Sequence, residues 1–185
     1  NRMARLADRD VPVEVEMEVK TTFHDNDGDH FGYNVIAELP GTDLRDQVVM
    51  LAAHLDSWHG ATGATDNAAG VAIIMEAMRI LKQSGLRLRR TVRLGLWTGE
   101  EQGLIGSREY VKAHFGDPQT MQVKPEHAKL AGYFNMDNGT GAYRGVYLQG
   151  NEAVAPIFRQ WITAFNNMGV THLTIRNTGG TDHLP

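Results

Sequence analysis

The chain has 185 residues, 42% of them hydrophobic, enough for one domain with a sizeable core. A net charge of −4, with no run of lysines or arginines, argues against a nucleic-acid partner, and no apolar stretch approaches the ~20 residues of a membrane span. With no cysteine there is neither a disulfide nor a thiolate metal site, so any metal must be held by histidine and carboxylate.

Residues 1–10 are charged and polar and carry no secretory signal. Together with the stop at Leu184-Pro185, they read as one domain, 1–185, truncated at both ends. Val11 to Phe23 alternates apolar and polar side chains, which predicts a half-buried antiparallel strand. His24 to Gly32 reads as a polar hairpin loop. Its acids, Asp25 to Asp29, raise a calcium loop as the other reading, although the ligand spacing and closing Glu of an EF-hand are missing. Tyr33 to Leu39 is a second strand, turned by Pro40-Gly41.

Val48 to Ala53 is apolar without alternation, the pattern of a strand covered on both faces. It ends at His54-Leu55-Asp56. His54 and Asp56 lie two apart and share a side in extended chain. That fits a buried structural His–Asp pair, or a metal-bound imidazole with Asp56 behind it. Ser57 to Thr65 is a small-residue loop, and Asp66 precedes a helix with Val71, Ile74, Met75, Met78 and Leu81 on one stripe and Gly85 at its close. Asp66 suits an N-cap or a ligand, and one carboxylate does not easily fill both roles.

Thr91 to Trp97 predicts another central strand, with Val92, Leu94 and Leu96 on one side and Gly95 and Trp97 on the other. It runs into Gly99-Glu100-Glu101-Gln102-Gly103. Neighbouring Glu side chains leave a strand in opposite directions, so the two can divide labour, one toward a metal and one toward its water. A solvated pair at a helix start is the other reading. Leu104 to Phe115 is an amphipathic helix, and Lys129 to Met136 a strand that ends at Asp137. Arg144 to Leu148 and Thr171 to Ile175 are strands on either side of a helix over about Glu152 to Met168, closed by Gly169. Gly179-Gly180-Thr181-Asp182-His183 is a loop.

These acids have bland explanations one by one. As a set, apolar strands ending at His54, Glu100-Glu101 and Asp137, with Asp66 at a helix start, fit the ligand-bearing edge of a mainly parallel sheet. One His and three carboxylates suit zinc, manganese or cobalt. The expected fold is α/β: a three-layer αβα arrangement around a mixed, mainly parallel sheet.

The strings H-L-D-S at 54–57, A-T-D-N-A-A-G at 64–70, W-T-G-E-E-Q-G-L-I-G-S at 97–107, N-M-D-N-G-T-G at 135–141 and G-G-T-D-H at 179–183 resemble the di-zinc family of aminopeptidases and glutamate carboxypeptidases. Over roughly 33–185 their order and spacing agree with it, and H-L-D-S-W with G-G-T-D-H-L-P looks most like its bacterial carboxypeptidase Q-like branch. The resemblance implies a zinc-peptidase fold and hydrolysis of terminal peptide bonds. His54 and Asp137 would bind one zinc, Glu101 the other, and Asp66 would bridge both. Glu100 would be the general base and then the acid, and Asp56 would orient His54. A fifth ligand, a histidine some thirty residues past the T-D-H motif in relatives, is not in this sequence, and His183 would line the site rather than bind. The resemblance also implies a peptide or dipeptide substrate and export to the periplasm or outside. A one-zinc glutaminyl-cyclase-type acyltransferase and an inactive receptor-like homologue are the alternatives; filled ligand positions speak against the second. Arg144 and Arg176 are the candidates for a carboxylate clamp.

Overall fold

The structure, a computed structural model, describes residues 2–22, 31–137 and 139–185. The chain divides into two compact units, 1–31 and 32–185. In the first, α1 (Arg2–Ala7) leads into residues 11–22, which belong to no helix or strand. The strand expected over Val11 to Phe23 is therefore a correction. Val15, Met17 and Val19 are exposed, and no ladder includes this segment among the described residues. Alternation says which side chains share a face; a strand also needs a partner and a core to cover that face. Asp25 to Asp29, and with them the calcium-loop reading, lie outside the described residues.

The second unit runs β1 (Val35–Leu39), β2 (Leu44–His54), α2 (Ala69–Gln83), β3 (Arg90–Trp97), α3 (Ile105–His114), β4 (Gly116–Asp117), β5 (Gln122–Val123), β6 (Leu130–Asn135), β7 (Gly145–Tyr147), α4 (Ala155–Ile162) and β8 (His172–Thr174). The main sheet has the order β1-β3-β2-β6, with β1 antiparallel to β3 and the other pairs parallel. Two short ladders, β4–β5 and β7–β8, lie outside it.

The apolar patterns explain the layers. Val92, Leu94 and Leu96 of β3 pack with Ala53 of β2 and with Ile74 and Met78 of α2 on one face. Met50, Ala52 and Trp97 pack with Tyr110 of α3 and Phe115 on the other. Helices thus cover both faces, and the sheet is mixed and mainly parallel, as the sequence leads one to expect. A Cβ on Gly95 would come within 2.7 Å of the Trp97 ring, so that ring folds back over a residue with no side chain.

The helix expected over Glu152 to Met168 is broken into a 3₁₀ turn (Glu152–Val154), α4, and a second 3₁₀ stretch (Thr163–Met168). Pro156 has no N–H to donate back to residue 152, so it tolerates only the first turn of an α-helix. Gly169, at φ 85°, ends the element as expected.

The parallel register positions the site. His54 lies beside Trp97, and Asn135 beside Ala52. Two residues beyond Asn135, Asp137 therefore comes level with His54, and the turn carrying Glu100 and Glu101 leaves β3 at the same edge.

Candidate metal centre

His54 is almost completely buried, and its two ring nitrogens have separate jobs. Nδ1 lies 3.0 Å from the backbone carbonyl of Asp56, which holds the ring in place. Nε2 lies 3.0 Å from Asp137 Oδ1 and 3.0 Å from Asp66 Oδ1. One ring nitrogen can give its proton to one carboxylate, and the geometry makes that hydrogen bond to Asp137. Asp66 Oδ1 is left buried without a donor, as is Glu101 Oε1. Such oxygens are costly unless a cation or donor meets them. His54, Asp66 and Glu101 each place a ligand atom within 4.8 Å of the others, so one ion could be held by all three. A donor set of imidazole and carboxylate oxygens suits zinc and its neighbours. The buried, donorless oxygens fit such an ion.

Asp66 does not cap α2. Its backbone is non-helical (φ −118°, ψ 90°), it lies in a short turn over Ala64–Ala68, and the helix begins only at Ala69 without a side-chain cap. The conflict between its two possible roles disappears, and the carboxylate faces His54. Asn67, also buried, ties this turn to the end of β6 by donating to the Met136 carbonyl at 2.9 Å.

The Asp56 carboxylate does something the sequence does not reveal. Its two oxygens accept from the backbone amides of Glu100 and Glu101, both at 3.1 Å. Asp56 thus orients His54 by its carbonyl and fixes the Glu-Glu turn by its side chain. Gly99, at φ 64°, makes the left-handed step that starts this turn.

Electrostatics follow from crowding acids around one base. Burial opposes charge on His54, but the hydrogen bond and charge of Asp137, with the charges of Glu100 and Asp56, outweigh it and lift the imidazole to about 9. Glu100 is buried; burial pushes it up against the charge of His54, and the charges of Asp137, Asp182 and Glu101 add, giving about 7. Burial and the charge of Asp66 also raise Glu101.

Asp182 is a residue to which the sequence reading gave no role, whereas His183 was expected to line the site. Asp182 is buried, and burial raises it to about 6 even though Ser107 bonds it. The signal was its place inside G-G-T-D-H. His183 is half-buried and lines a cavity of about 210 Å³ with Asp182, Trp97 and Tyr133; it is outside the His54–Asp66–Glu101 group. Arg144 and Arg176 are both exposed, with the Arg144 guanidinium against Gly169.

Comparison with known proteins agrees with this architecture. Residues 34–185 match the model of peptidase family M28. The chain is 33% identical over 181 residues to carboxypeptidase Q of Mus musculus, covering 97% of this chain and 36% of that protein. Among solved structures, it is similar to a peptidase M28 precursor from Shewanella amazonensis (TM-score 0.69, 31% identity, 81% of this chain and 32% of that one). It is also similar to a zinc aminopeptidase from Bacillus subtilis (TM-score 0.64, 25% identity, 82% and 36%). The chain spans about a third of the length of the curated relatives it matches. Because the match runs from β1 to Pro185 and takes in every strand end described above, the chain belongs to peptidase family M28.

Proposed function

We propose that this chain carries the centre of a metal-dependent exopeptidase that removes residues from the end of a peptide with two zinc ions, Mn²⁺ or Co²⁺ being possible substitutes. The observation that carries the metal-dependent reading is the His54–Asp66–Glu101 group, with Asp66 Oδ1 and Glu101 Oε1 buried and lacking donors; the count of two ions comes from the family resemblance. His54 and Asp137 would hold one ion, Glu101 the other, and Asp66 both, because only a carboxylate offers two oxygens for two cations. The chemistry that bound zinc supplies is acidification of a water and polarisation of a carbonyl oxygen.

The chain's own residues do the rest. Glu100, the buried neighbour of Glu101, takes the proton of the attacking water on its carboxylate and returns it to the leaving amine nitrogen. The Asp56 carboxylate, bonded to both Glu amides, keeps that base from drifting. The Asp56 carbonyl on Nδ1 keeps Nε2 of His54 turned toward the acids. The substrate is a peptide or dipeptide, and the family resemblance adds an exported protein; no helix among the described residues is long and apolar enough to cross a membrane.

The test is metal analysis, followed by aminopeptidase, carboxypeptidase and dipeptidase substrates, on the whole protein that carries this chain. Two equivalents of zinc and chelator-sensitive release of terminal residues are expected. Hydrolysis that survives removal of all metal sinks the reading. One equivalent of zinc with cyclisation of glutaminyl peptides and no hydrolysis replaces it with the acyltransferase alternative.

A further inference from the structure

The loop after β8 is unusual for a connection, because Thr181 and Asp182 are both buried. Three contacts hold the pair. Ser107, 1% exposed, donates from Oγ to Asp182 Oδ1 at 2.6 Å. The Tyr133 hydroxyl donates to the Asp182 carbonyl at 3.1 Å while accepting from Trp97 Nε1 at 3.0 Å. Asn135 Nδ2 donates to Thr181 Oγ1 at 2.7 Å.

These partners sit on elements that do not touch as neighbours in the sheet. Ser107 belongs to the first turn of α3, whose entry is fixed to the Glu100 carbonyl by the amides of Gly103 and Leu104, at 2.8 and 2.9 Å. Tyr133 and Asn135 belong to β6, which delivers Asp137 two residues later. In the order β1-β3-β2-β6, β2 with His54 separates the strand that carries the Glu pair from the strand that carries Asp137. Residues 181–182 span that gap. A buried carboxylate with one oxygen bonded at short range to a hydroxyl, and the other without a donor, is a costly way to fill space. A neutral or apolar side chain would pack there at lower cost.

On the reading of the site as a hydrolytic metal centre, we propose that Asp182 is a positioning residue. With Thr181 it braces α3 against β6 across β2, and so sets the spacing between the Glu100–Glu101 turn and Asp137. Its bonds to Ser107 and Tyr133 act through where those three carboxylates stand.

The test compares wild type with Asp182→Ala, Asp182→Asn and Ser107→Ala in the zinc-loaded whole protein. Zinc affinity is measured by chelator competition, and kcat and KM on a peptide that the wild type cleaves. Asp182→Ala should weaken zinc about tenfold or more and lower kcat by a similar factor, with KM within about twofold. Asp182→Asn still accepts from Ser107 and should recover most of both losses. Ser107→Ala removes the same bond from the other side and should move both in the same direction by a few-fold. A merely structural contact would lower Tm and leave kcat per zinc-loaded molecule and zinc affinity unchanged. That result in Asp182→Ala, or in Ser107→Ala if the first variant does not fold, overturns the proposal. A wild type that cleaves no peptide sinks the hydrolase reading instead, and the zinc affinities of the variants still decide the brace.

Discussion

The two ends of the main sheet treat charge in opposite ways. Where β2, β3 and β6 begin, a cavity of about 290 Å³ is lined by the acids Glu38, Asp46 and Glu126 and the bases Arg45, Arg93 and Lys129, so the charges balance. Arg93 reaches both Glu38, at 2.6 Å, and the Tyr110 hydroxyl, at 2.7 Å, and nearby Arg89 meets Asp43 at 2.9 Å. Where the same strands end, Asp56, Asp66, Glu100, Glu101 and Asp137 gather about His54, and two buried carboxylate oxygens have no donor. The cavity at the balanced end contains none of these acids, and the cavity of about 210 Å³ beside Asp182 and His183 is lined by none of them either. Volume therefore does not locate the chemistry here; uncompensated buried charge does, because it persists only where a cation or a reaction uses it.

The contrast can be broken at its sharpest point. Glu100→Gln keeps the shape of the cluster and removes the base, so kcat should fall by about 10²–10⁴-fold while bound zinc stays at the wild-type level. Full activity in that variant would remove Glu100 from the mechanism. Asp66→Ala takes away a carboxylate oxygen 3.0 Å from Nε2 of His54, and zinc measured by elemental analysis should drop well below the wild-type content. Unchanged stoichiometry would argue against a bridging role.

The unbalanced end also predicts a pH dependence that the balanced end does not. Asp182 is raised from 3.8 to about 6, so the folded state holds this proton more tightly than the unfolded one. Its contribution to stability is complete below pH ~4 and is lost as pH rises toward 6, by at most about 3 kcal/mol. In zinc-stripped protein, Asp182→Asn should flatten this part of the stability-versus-pH profile. A slope identical to wild type between pH 4 and 6 would place the titration elsewhere. The smallest effect belongs to the balanced end. Glu38→Gln removes a partly exposed ion pair and should cost about 0.2–1 kcal/mol in denaturant unfolding, with kcat within about twofold of wild type. A loss of activity comparable to Glu100→Gln would erase the distinction between the two ends.

Much of this protein could be read from the order of its residues alone. The apolar runs that become β2, β3 and β6, the stripe of α2 and the abrupt stops at His54, Glu100-Glu101 and Asp137 are local facts, because periodicity and strand length follow from backbone geometry. The same local logic misplaced the strand expected from Val11, where a face was patterned but no ladder forms among the described residues, and it ran a helix through Pro156. What only the tertiary structure decided is how distant pieces meet. Parallel register brings Asp137 level with His54, 83 positions away in the chain. The Asp56 carboxylate turns to amides 44 and 45 residues on, and Ser107 finds Asp182 75 residues on. No short-range pattern encodes those meetings, because they depend on which strands become neighbours and at what offset. Once the sheet is closed in that order, the spacing of the acids follows from it.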